Sequence, residues 1–349
     1  MELFSMSLRK RETYQVEVKH SLLWEAALGI AAITNERLLE TLDYTEKKWQ
    51  TIKKSLSTEI LDHLEMVQEK NTWKTILLLL HEKDMGSVEE FNDFVDHLDE
   101  EELRYIAIPY LGKKHQEDRR LASQGDQEAV ARLQDVSKDN AFFPRYIAYI
   151  SQVDAHHLKS HIQEVMTGWY EAVIQPDEAM FKGILERDAF SKKKRIEKLE
   201  AEDFVEWATH GIRYMPEPSV YKVIMIPQFI YRPWNVEADI EGAKIFYYPV
   251  ANESIQPNDP YVPDQMLVQK FKALGDENRL RMLKILMGGG RTLKEMTEEI
   301  GMGKTTVYHH LKLLKSARLI VAYGPRYHVS PRAWEMLPKE LELFLGEEK

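Results

Sequence analysis

The sequence predicts a mainly α protein with a large helical N-terminal domain that contains a small antiparallel β element, followed by a small domain of short helices and a β-hairpin. Three observations support this fold class. Apolar residues recur at helical spacing along most of the chain. A proline-rich segment interrupts this pattern at residues 256–263, and closely spaced capping and turn residues follow it. We therefore expect domains at 1–255 and 264–349, joined by an extended linker at 256–263.

The length and composition define the broad class of protein. A chain of 349 residues is long enough for two or three domains, and 44% hydrophobic with 30% charged residues is typical of globular proteins. No apolar run approaches the ~20 residues of a membrane-spanning helix, and the N-terminal residues lack a secretory signal pattern. We expect a cytoplasmic protein without a membrane partner. The absence of cysteine excludes disulfides, thiolate nucleophiles and thiolate metal sites.

The charge of the chain is unevenly distributed. The whole chain carries 47 basic and 57 acidic side chains, a net charge of −10. The stretch 265–332 alone carries 13 basic and 5 acidic side chains, a net charge of +8, which leaves −18 for the rest. A basic module attached to an acidic body indicates a polyanionic partner for the C-terminal domain and a different role for the N-terminal domain.

The elements of the N-terminal domain follow from two kinds of periodicity. Apolar residues at spacings of three and four predict helices at 22–33, 56–67 and 91–98. The segments 219–231 and 243–250 are rich in Val, Ile, Tyr and Phe and are bounded by Pro or Gly, so we expect them to form a short antiparallel pair.

Two polar patterns in the N-terminal domain have alternative interpretations. Asp154, His157, His161 and Glu164 follow one helical face, which could bind Zn²⁺, Ni²⁺ or Co²⁺ but is more often the solvated side of an amphipathic helix. The basic run 192–195 lies between glutamates and is interpreted as a solvated face, with a nucleic-acid or partner contact as the alternative.

No pattern in the chain indicates catalysis. The Gly-x-Ser-x-Gly, His-Glu-x-x-His and dinucleotide-binding glycine motifs are absent, so we predict neither an enzyme nor a bound cofactor. The aromatic residues of the N-terminal domain are expected mostly in its core. A pocket for an apolar ligand between the helices and the small sheet is the alternative.

The C-terminal domain begins with two predicted helices. Leu267, Phe271 and Leu274 have helical spacing, and Gly275 ends that helix. Asp276 then caps a second helix, which ends at the glycine run 288–290.

The next two predicted helices are separated by a very short turn. Thr292 and Glu295 have the spacing of a capping box, in which each side chain accepts a hydrogen bond from a free backbone amide. This helix ends at Gly301, and a second helix, 304–317, begins after Met302 and Gly303. Two short helices joined in this way form a helix-turn-helix, whose second helix enters the major groove of DNA.

The helix 304–317 has two distinct faces. Val307, Leu311 and Leu314 fall on one side and predict the buried stripe. The opposite side carries hydroxyl, imidazole and ammonium groups and no carboxylate, a combination suited to base edges and phosphates. We predict base contacts by Thr305, Thr306, Tyr308 and His309 and phosphate contacts by Lys304 and Lys312, with Thr292 and Arg326 as further DNA-binding candidates. The alternative is an ordinary amphipathic helix.

The remaining C-terminal elements are a hairpin and two helical pieces. The runs 319–323 and 326–329 are strand-like and are joined by Gly324 and Pro325, which predicts a wing. Pro338 is expected to end one helical piece, 331–337, and to start another, 338–345. We predict that an apolar ridge of these pieces pairs with the first helix of a second subunit, and the dimerisation candidates are Leu267, Phe271, Trp334, Leu337, Leu341 and Phe344.

The stretch 264–330 resembles the winged helix-turn-helix of the ArsR-type bacterial transcriptional regulators. The resemblance is carried by FKALGDENRLRMLKIL at 271–286 and TTVYHHLKLL at 305–314. It implies a homodimer, a palindromic operator and, usually, repression relieved by a ligand. The chain departs from the family at Arg318, where a glycine is usual, and its wing is short, which leaves the exit turn and a DNA contact of the wing open.

The sequence thus predicts a DNA-binding transcriptional repressor that reads its operator through 304–317. Its partners would be double-stranded DNA, a second copy of the chain and a small-molecule or protein effector at the N-terminal domain. The alternative is a protein-interaction adaptor that uses the winged-helix scaffold without sequence-specific DNA binding.

Overall fold

The computed structural model describes residues 13–197, 199–259 and 261–346, and it confirms a mainly α chain with small sheets. The chain forms two compact units, Met1–Val250 and Ala251–Lys349. Residues 1–12, on which the prediction of no signal sequence partly depends, and Pro260 of the predicted linker lie outside the described residues. No helix of the described part is long and apolar enough to cross a bilayer.

The helices of the first unit are mostly short. In chain order they are α1 (Leu22–Ile33), α2 (Glu36–Leu39), α3 (Glu46–Ser55), α4 (Thr58–Lys70), α5 (Trp73–Leu79), α6 (Val88–His97), α7 (Glu100–Ala107), α8 (Gln116–Ser123), α9 (Gln127–Val136), α10 (Phe143–Ile150), α11 (Ala155–Trp169), α12 (Glu178–Ile196) and α13 (Ala201–Ala208). A π-helical turn, Tyr170–Ile174, and a 3₁₀ turn, Gln175–Asp177, connect α11 to α12.

The core of the first unit forms around α1. All of its residues except Leu22 are buried, and it packs against α5 and α11. Its sequence, LLWEAALGIAAI, is apolar all round except for Glu25, which is the pattern of a fully buried helix. The helices around it begin at short polar residues, such as Thr45 before α3 and Ser57 before α4, whose hydroxyl groups accept a hydrogen bond from a free amide of the first turn.

The first unit also contains a four-stranded sheet. Its strands are β1 (Gln15–Val18), β2 (Lys222–Gln228), β3 (Val236–Ile240) and β4 (Ala243–Pro249), in the order β1-β2-β4-β3. The predicted antiparallel pairing of 219–231 with 243–250 is wrong, because β2 and β4 are parallel. The chain passes from β2 to the outer strand β3 and reverses at Gly242 into β4, so β4 regains the direction of β2 and is antiparallel only to β3.

The second unit contains six helices and a small sheet within its described part. The elements are α14 (Asn252–Ile255), α15 (Gln265–Leu274), α16 (Glu277–Met287), β5 (Arg291–Thr292), α17 (Leu293–Ile300), α18 (Lys304–Ser316), β6 (Ile320–Tyr323), β7 (Arg326–Val329) and α19 (Pro331–Gly346). The predicted hairpin is β6 and β7, and β5 adds a third strand in the order β5-β7-β6.

One helix, α19, replaces the two pieces predicted around Pro338. A proline inside a helix removes one backbone hydrogen bond and crowds the carbonyl four residues earlier, so the sequence favoured a break. Contacts with α15 stabilise α19 as one helix. Leu337, just before the proline, is buried, and Glu340, two positions after it, forms an ion pair with the buried Lys270 at 2.6 Å.

The boundary between the units lies just before the predicted linker. The structure groups α14 with the second unit, and the described residues of 256–263 form turns and extended chain without a helix or strand. The domain limits 1–255 and 264–349 stay predictions.

Candidate nucleic-acid interface

The helix-turn-helix is formed by α17 and α18. Thr292 Oγ1 accepts the amide hydrogen of Glu295 at 3.2 Å, and Glu295 Oε2 accepts that of Thr292 at 2.7 Å, so both halves of the predicted capping box are present. The Thr292 amide, followed by Arg326, holds the pKa of the Glu295 carboxyl below its usual range. Gly301 ends α17 with a φ of 72°, a conformation that glycine adopts without strain.

The buried face of α18 is the predicted one. Val307, Leu311 and Leu314 are completely buried, and α18 packs against α15, α16 and α17. Full burial of three aliphatic side chains contributes about 1.5–3 kcal/mol each to stability. This packing fixes which side of α18 faces outward.

The outward face of α18 gathers most of the predicted DNA-binding residues. Each of these side chains is exposed, and Tyr308 retains 53% of its accessible surface. The face contains no carboxylate, because α18 contains neither Asp nor Glu. The six residues on it are Lys304, Thr305, Thr306, Tyr308, His309 and Lys312.

The N-terminus of α18 adds backbone donors to this face. Gly303 occupies the capping position and provides no side-chain acceptor. The first amides of the helix therefore remain available to an external acceptor, and the helix dipole favours a negative charge at this end. A phosphate oxygen is suited to that position.

His309 and His310 are neighbours with different environments. His309 is exposed, whereas the His310 side chain is mostly buried, with its Nδ1 4.0 Å from Oδ1 of Asp276. Asp276 caps α16 by accepting the Arg279 amide hydrogen at 2.9 Å. That hydrogen bond, with the charges of Arg279 and His310, lowers the pKa of Asp276. His310 is thus part of the packing between α18 and α16.

Thr292 and Arg326 lie apart from the α18 face. Thr292 is occupied as the cap of α17. Arg326 donates to the carbonyl of Gly290 at 2.8 Å and to Oε1 of Glu295 at 3.0 Å, so in this conformation it folds back onto the start of α17. The tip of the wing instead exposes Tyr323.

Two exposed lysines of the second unit were not among the residues predicted to bind DNA. Lys294, in the first turn of α17, has a side chain that is 86% exposed, and Lys315 is exposed on the last turn of α18. The sequence could have indicated Lys294, because it follows the predicted helix cap Thr292 by two positions and so lies in the first turn of α17. Its exposure on the surface of the second unit is known only from the fold.

The dimerisation candidates lie on α15 and α19, which pack against each other within one unit. Leu267 and Leu337 are buried without a second chain. Phe271 is 43% exposed, and the other three, Trp334, Leu341 and Phe344, are partly buried. Dimerisation through these residues stays a prediction.

The four metal candidates of the first unit are not brought together as a metal site. Asp154 caps α11 by accepting the His157 amide hydrogen at 2.8 Å. His161 is buried, with one ring nitrogen 2.8 Å from the Thr72 hydroxyl and the other 2.9 Å from a nitrogen of His63. Within the described ranges, no three His, Asp or Glu side chains converge as metal ligands.

A hydrogen-bonded chain takes the place of that site. Glu164 Oε2 lies 2.6 Å from His63 Nε2, and His63 in turn contacts His161. His63 lies on α4, 98 positions before His161, and no sequence pattern predicted its part in this network. The network links α4 and α11 and reaches Thr72 at the start of α5.

Comparison with known proteins identifies the second unit. Residues 274–321 match a family described as a helix-turn-helix domain. The transcriptional repressor SdpR of Bacillus subtilis is 38% identical over 50 residues, 14% of this chain and 56% of that protein. The uncharacterized HTH-type transcriptional regulator YceK of the same organism is 41% identical over 58 residues, 16% of this chain and 58% of that protein.

The C-terminal domain thus contains a helix-turn-helix that is similar in sequence to those of bacterial transcriptional regulators, followed by the β6–β7 hairpin as a wing. Both helices of the α17–α18 pair lie completely within the matched residues. The chain spans a little more than half the length of these relatives. The matches fall within the second unit and carry no information about the first.

Proposed function

We propose that this chain is a transcriptional regulator that binds double-stranded DNA through α18. The observation that carries the proposal is the outward face of α18, which presents hydroxyl, phenol, imidazole and ammonium groups without a carboxylate. Such groups hydrogen-bond base edges and neutralise phosphates in the major groove. The net charge of +8 over 265–332 supports the same partner.

We assign different tasks to the residues of this face. Thr305, Thr306, Tyr308 and His309 lie in the first two turns of α18, the part of a recognition helix that reaches base edges. Lys304 and Lys312 flank them and would contact the phosphate backbone, which provides affinity without sequence information. Thr292 and Arg326 would order the start of α17 beside the DNA.

The regulator is proposed to act as a homodimeric repressor on a palindromic operator. One of the relatives is named a transcriptional repressor, which favours this sign of regulation. A twofold dimer places two recognition helices about one helical turn of DNA apart, so the operator would contain two inverted half-sites. A protein that regulates bacterial transcription in this way acts in the cytoplasm, and the first unit would receive an effector signal.

The first experiment identifies the operator. Fragmented genomic DNA retained by the full chain is sequenced, and an enriched inverted repeat is expected. Binding to that fragment should weaken steeply with salt, because each neutralised phosphate releases counterions. A protein-interaction adaptor would retain no defined sequence, and that outcome would refute the proposal.

The second experiment separates base contacts from phosphate contacts in a gel-shift assay on the operator and on random DNA. His309→Ala should reduce the preference for the operator about tenfold, because one base contact typically carries about 1–3 kcal/mol of discrimination. Lys312→Ala should weaken binding to both DNAs and reduce the salt dependence.

The matched control is Lys284→Ala, which removes an exposed charge from α16 rather than from α18. It is expected to leave the preference for the operator unchanged and to weaken binding little. If all three variants behaved alike, α18 would not be the recognition helix.

A further inference from the structure

The wing, formed by β6 and β7, is attached to the start of α17 by the short strand β5. β5 pairs with β7 in antiparallel register, with Arg291 opposite Tyr327 and Thr292 opposite Arg326. Thr292 is also the cap of α17, so a group that fixes β7 on β5 fixes the wing relative to the helix-turn-helix. A strand of two residues forms few backbone hydrogen bonds, and a two-stranded hairpin alone is only marginally stable. Side chains must therefore hold the wing in place.

Arg326 connects the wing to both ends of β5. Its guanidinium donates to the Gly290 carbonyl at 2.8 Å, just before β5, and to Oε1 of Glu295 at 3.0 Å, in the first turn of α17. The other oxygen of Glu295, Oε2, accepts the Thr292 amide hydrogen at 2.7 Å. One carboxylate thus completes the helix cap and binds the wing at the same time.

His328 attaches the same strand, β7, to the same glycine. A Cβ atom on Gly290 would overlap the imidazole ring, so the ring of His328 lies directly on the glycine backbone. Glycine is the residue that permits so close an approach. Gly290 belongs to the run 288–290 that was predicted to end α16, and the contact with His328 gives this glycine a second role.

Tyr323 is the large side chain that the tip of the wing leaves exposed. It lies opposite Arg326 in the hairpin and retains 69% of its accessible surface. Its ring meets the ring of His328 edge-on, with 5.6 Å between the centroids. The Tyr323 hydroxyl has no hydrogen-bond partner among the described residues, so it is available to donate to a phosphate oxygen.

The wing adjoins the outward face of α18. β6 packs against α18. Burial raises the pKa of Tyr327 on β7, and the nearby Tyr308 of α18 raises it further. Tyr308 belongs to the outward face, so we expect DNA bound to that face to pass close to the wing. A side chain of the wing can then reach the phosphate backbone that borders the groove.

We propose that Glu295 is a positioning residue for DNA binding: through Arg326 it holds the wing where Tyr323 contacts a phosphate beside the groove occupied by α18. Arg326 and His328 then act as anchors of the wing rather than as DNA contacts. This inference rests on the proposed function. It concerns a contact with the DNA backbone, which random DNA reports as well as the operator does.

The attachment of the wing is tested without DNA, by amide hydrogen exchange of the full chain. Glu295→Gln keeps an oxygen that accepts the Thr292 amide hydrogen and removes the charge that binds Arg326. The amides of 320–329 should then exchange severalfold faster than in the wild type, and those of α16 should not change. Glu298→Gln is the matched control, because it removes the same charge from α17 at a position that pairs with Lys294 and not with the wing.

The effect on DNA binding is measured by gel shift with a random-sequence duplex. Removal of a carboxylate by itself strengthens binding to a polyanion, and Glu298→Gln should behave in this way. Glu295→Gln should instead weaken binding about threefold, the size of effect that a partly exposed ion pair supports. Tyr323→Ala should weaken binding as well. Adding Glu295→Gln to Tyr323→Ala should cause little further loss, because both changes remove the same contact.

Stronger or unchanged DNA binding by Glu295→Gln would overturn this inference alone, because Glu295 would then only compete with DNA for Arg326 or play no part in binding. Losses that add in the double variant would also overturn it, because Glu295 would then act independently of Tyr323. A wild type that bound no DNA would refute the proposed function, and this inference with it.

Discussion

Arg318 has a φ of 58°, in the left-handed region that costs a residue with a Cβ about 1 kcal/mol. It links α18 to β6, where glycine is usual in ArsR-type domains. The turn closes through hydrogen bonds from the Arg318 amide to Lys315 and from the Leu319 amide to Leu314, at 3.0 and 3.1 Å. Arg318 therefore adopts the left-handed conformation that the turn between α18 and β6 requires. Burial of the adjacent Leu319 offsets the free-energy cost of that conformation.

The capping residue Thr292 gives a prediction for stability. Thr292→Ala removes the acceptor of the Glu295 amide hydrogen and should lower the free energy of unfolding of the second unit by about 1 kcal/mol. Urea denaturation measures this change. Thr306→Ala, on the exposed face of α18, serves as the control and should change stability by less than about 0.5 kcal/mol. Equal effects would contradict the role of the cap.

The buried His161 gives a prediction for pH dependence. Burial, followed by the neighbouring His63 and His157, lowers the pKa of His161 from 6.5 to about 4. The unfolded chain therefore binds a proton that the folded chain does not bind between these values. The free energy of unfolding should fall as the pH drops from 6.5 towards 4, by up to about 1.4 kcal/mol per pH unit.

Other buried groups act at the same time, so the measurement compares two proteins. The pKa of His81 is lowered to about 3 by burial, which acts in the same direction, whereas burial raises that of Glu25 to about 7, which acts in the opposite direction. When the pH is lowered from 7 to 5, the free energy of unfolding of the His161→Gln variant should rise by about 2 kcal/mol relative to that of the wild type. The exposed His97→Gln is the control, and an equal gain there would contradict the assignment to His161.

At the scale of elements, helix boundaries were more predictable than strand pairing. The four helices before the wing were all predicted, because caps such as Asp276 and Thr292 and stops such as Gly301 act within one turn of the chain. The pairing of β2 with β4 depends on the strand β3 between them in sequence, which the pattern did not reveal. The continuity of α19 across Pro338 likewise depends on contacts with α15.

The candidate interface was also predictable only where it depends on local sequence patterns. The spacing of Val307, Leu311 and Leu314 determined the buried side of α18, and the exposed side followed. Spacing could not reveal that Arg326 binds Glu295, or that Lys294 is exposed in the same unit, because these facts depend on elements that are distant along the chain.

At the scale of the whole molecule, charge separates the two units. The basic stretch 265–332 belongs to the second unit, whereas the rest of the chain carries −18. An acidic body repels DNA at long range, so it disfavours nonspecific association, which is consistent with the proposed binding through the α18 face.

The oligomeric state gives the prediction at this scale. A homodimer is expected in sedimentation equilibrium of the full chain. Phe271→Lys should weaken the dimer and reduce operator affinity together, because Phe271 exposes 43% of its surface on α15, one of the two helices that carry the dimerisation candidates. Met287→Lys alters an even more exposed apolar residue on α16 and is the control. A monomeric wild type that still shifts the operator would contradict the dimer.

The sequence by itself determined the helices α15 to α18, the two faces of α18 and the division of charge, because helical periodicity, capping and composition are local properties of the chain. Only the tertiary structure decided the parallel pairing of β2 with β4, the single helix α19 and the hydrogen-bonded chain through His63. Each of these joins residues that are far apart in sequence, and their contacts are fixed by the packing of elements, which no local pattern encodes.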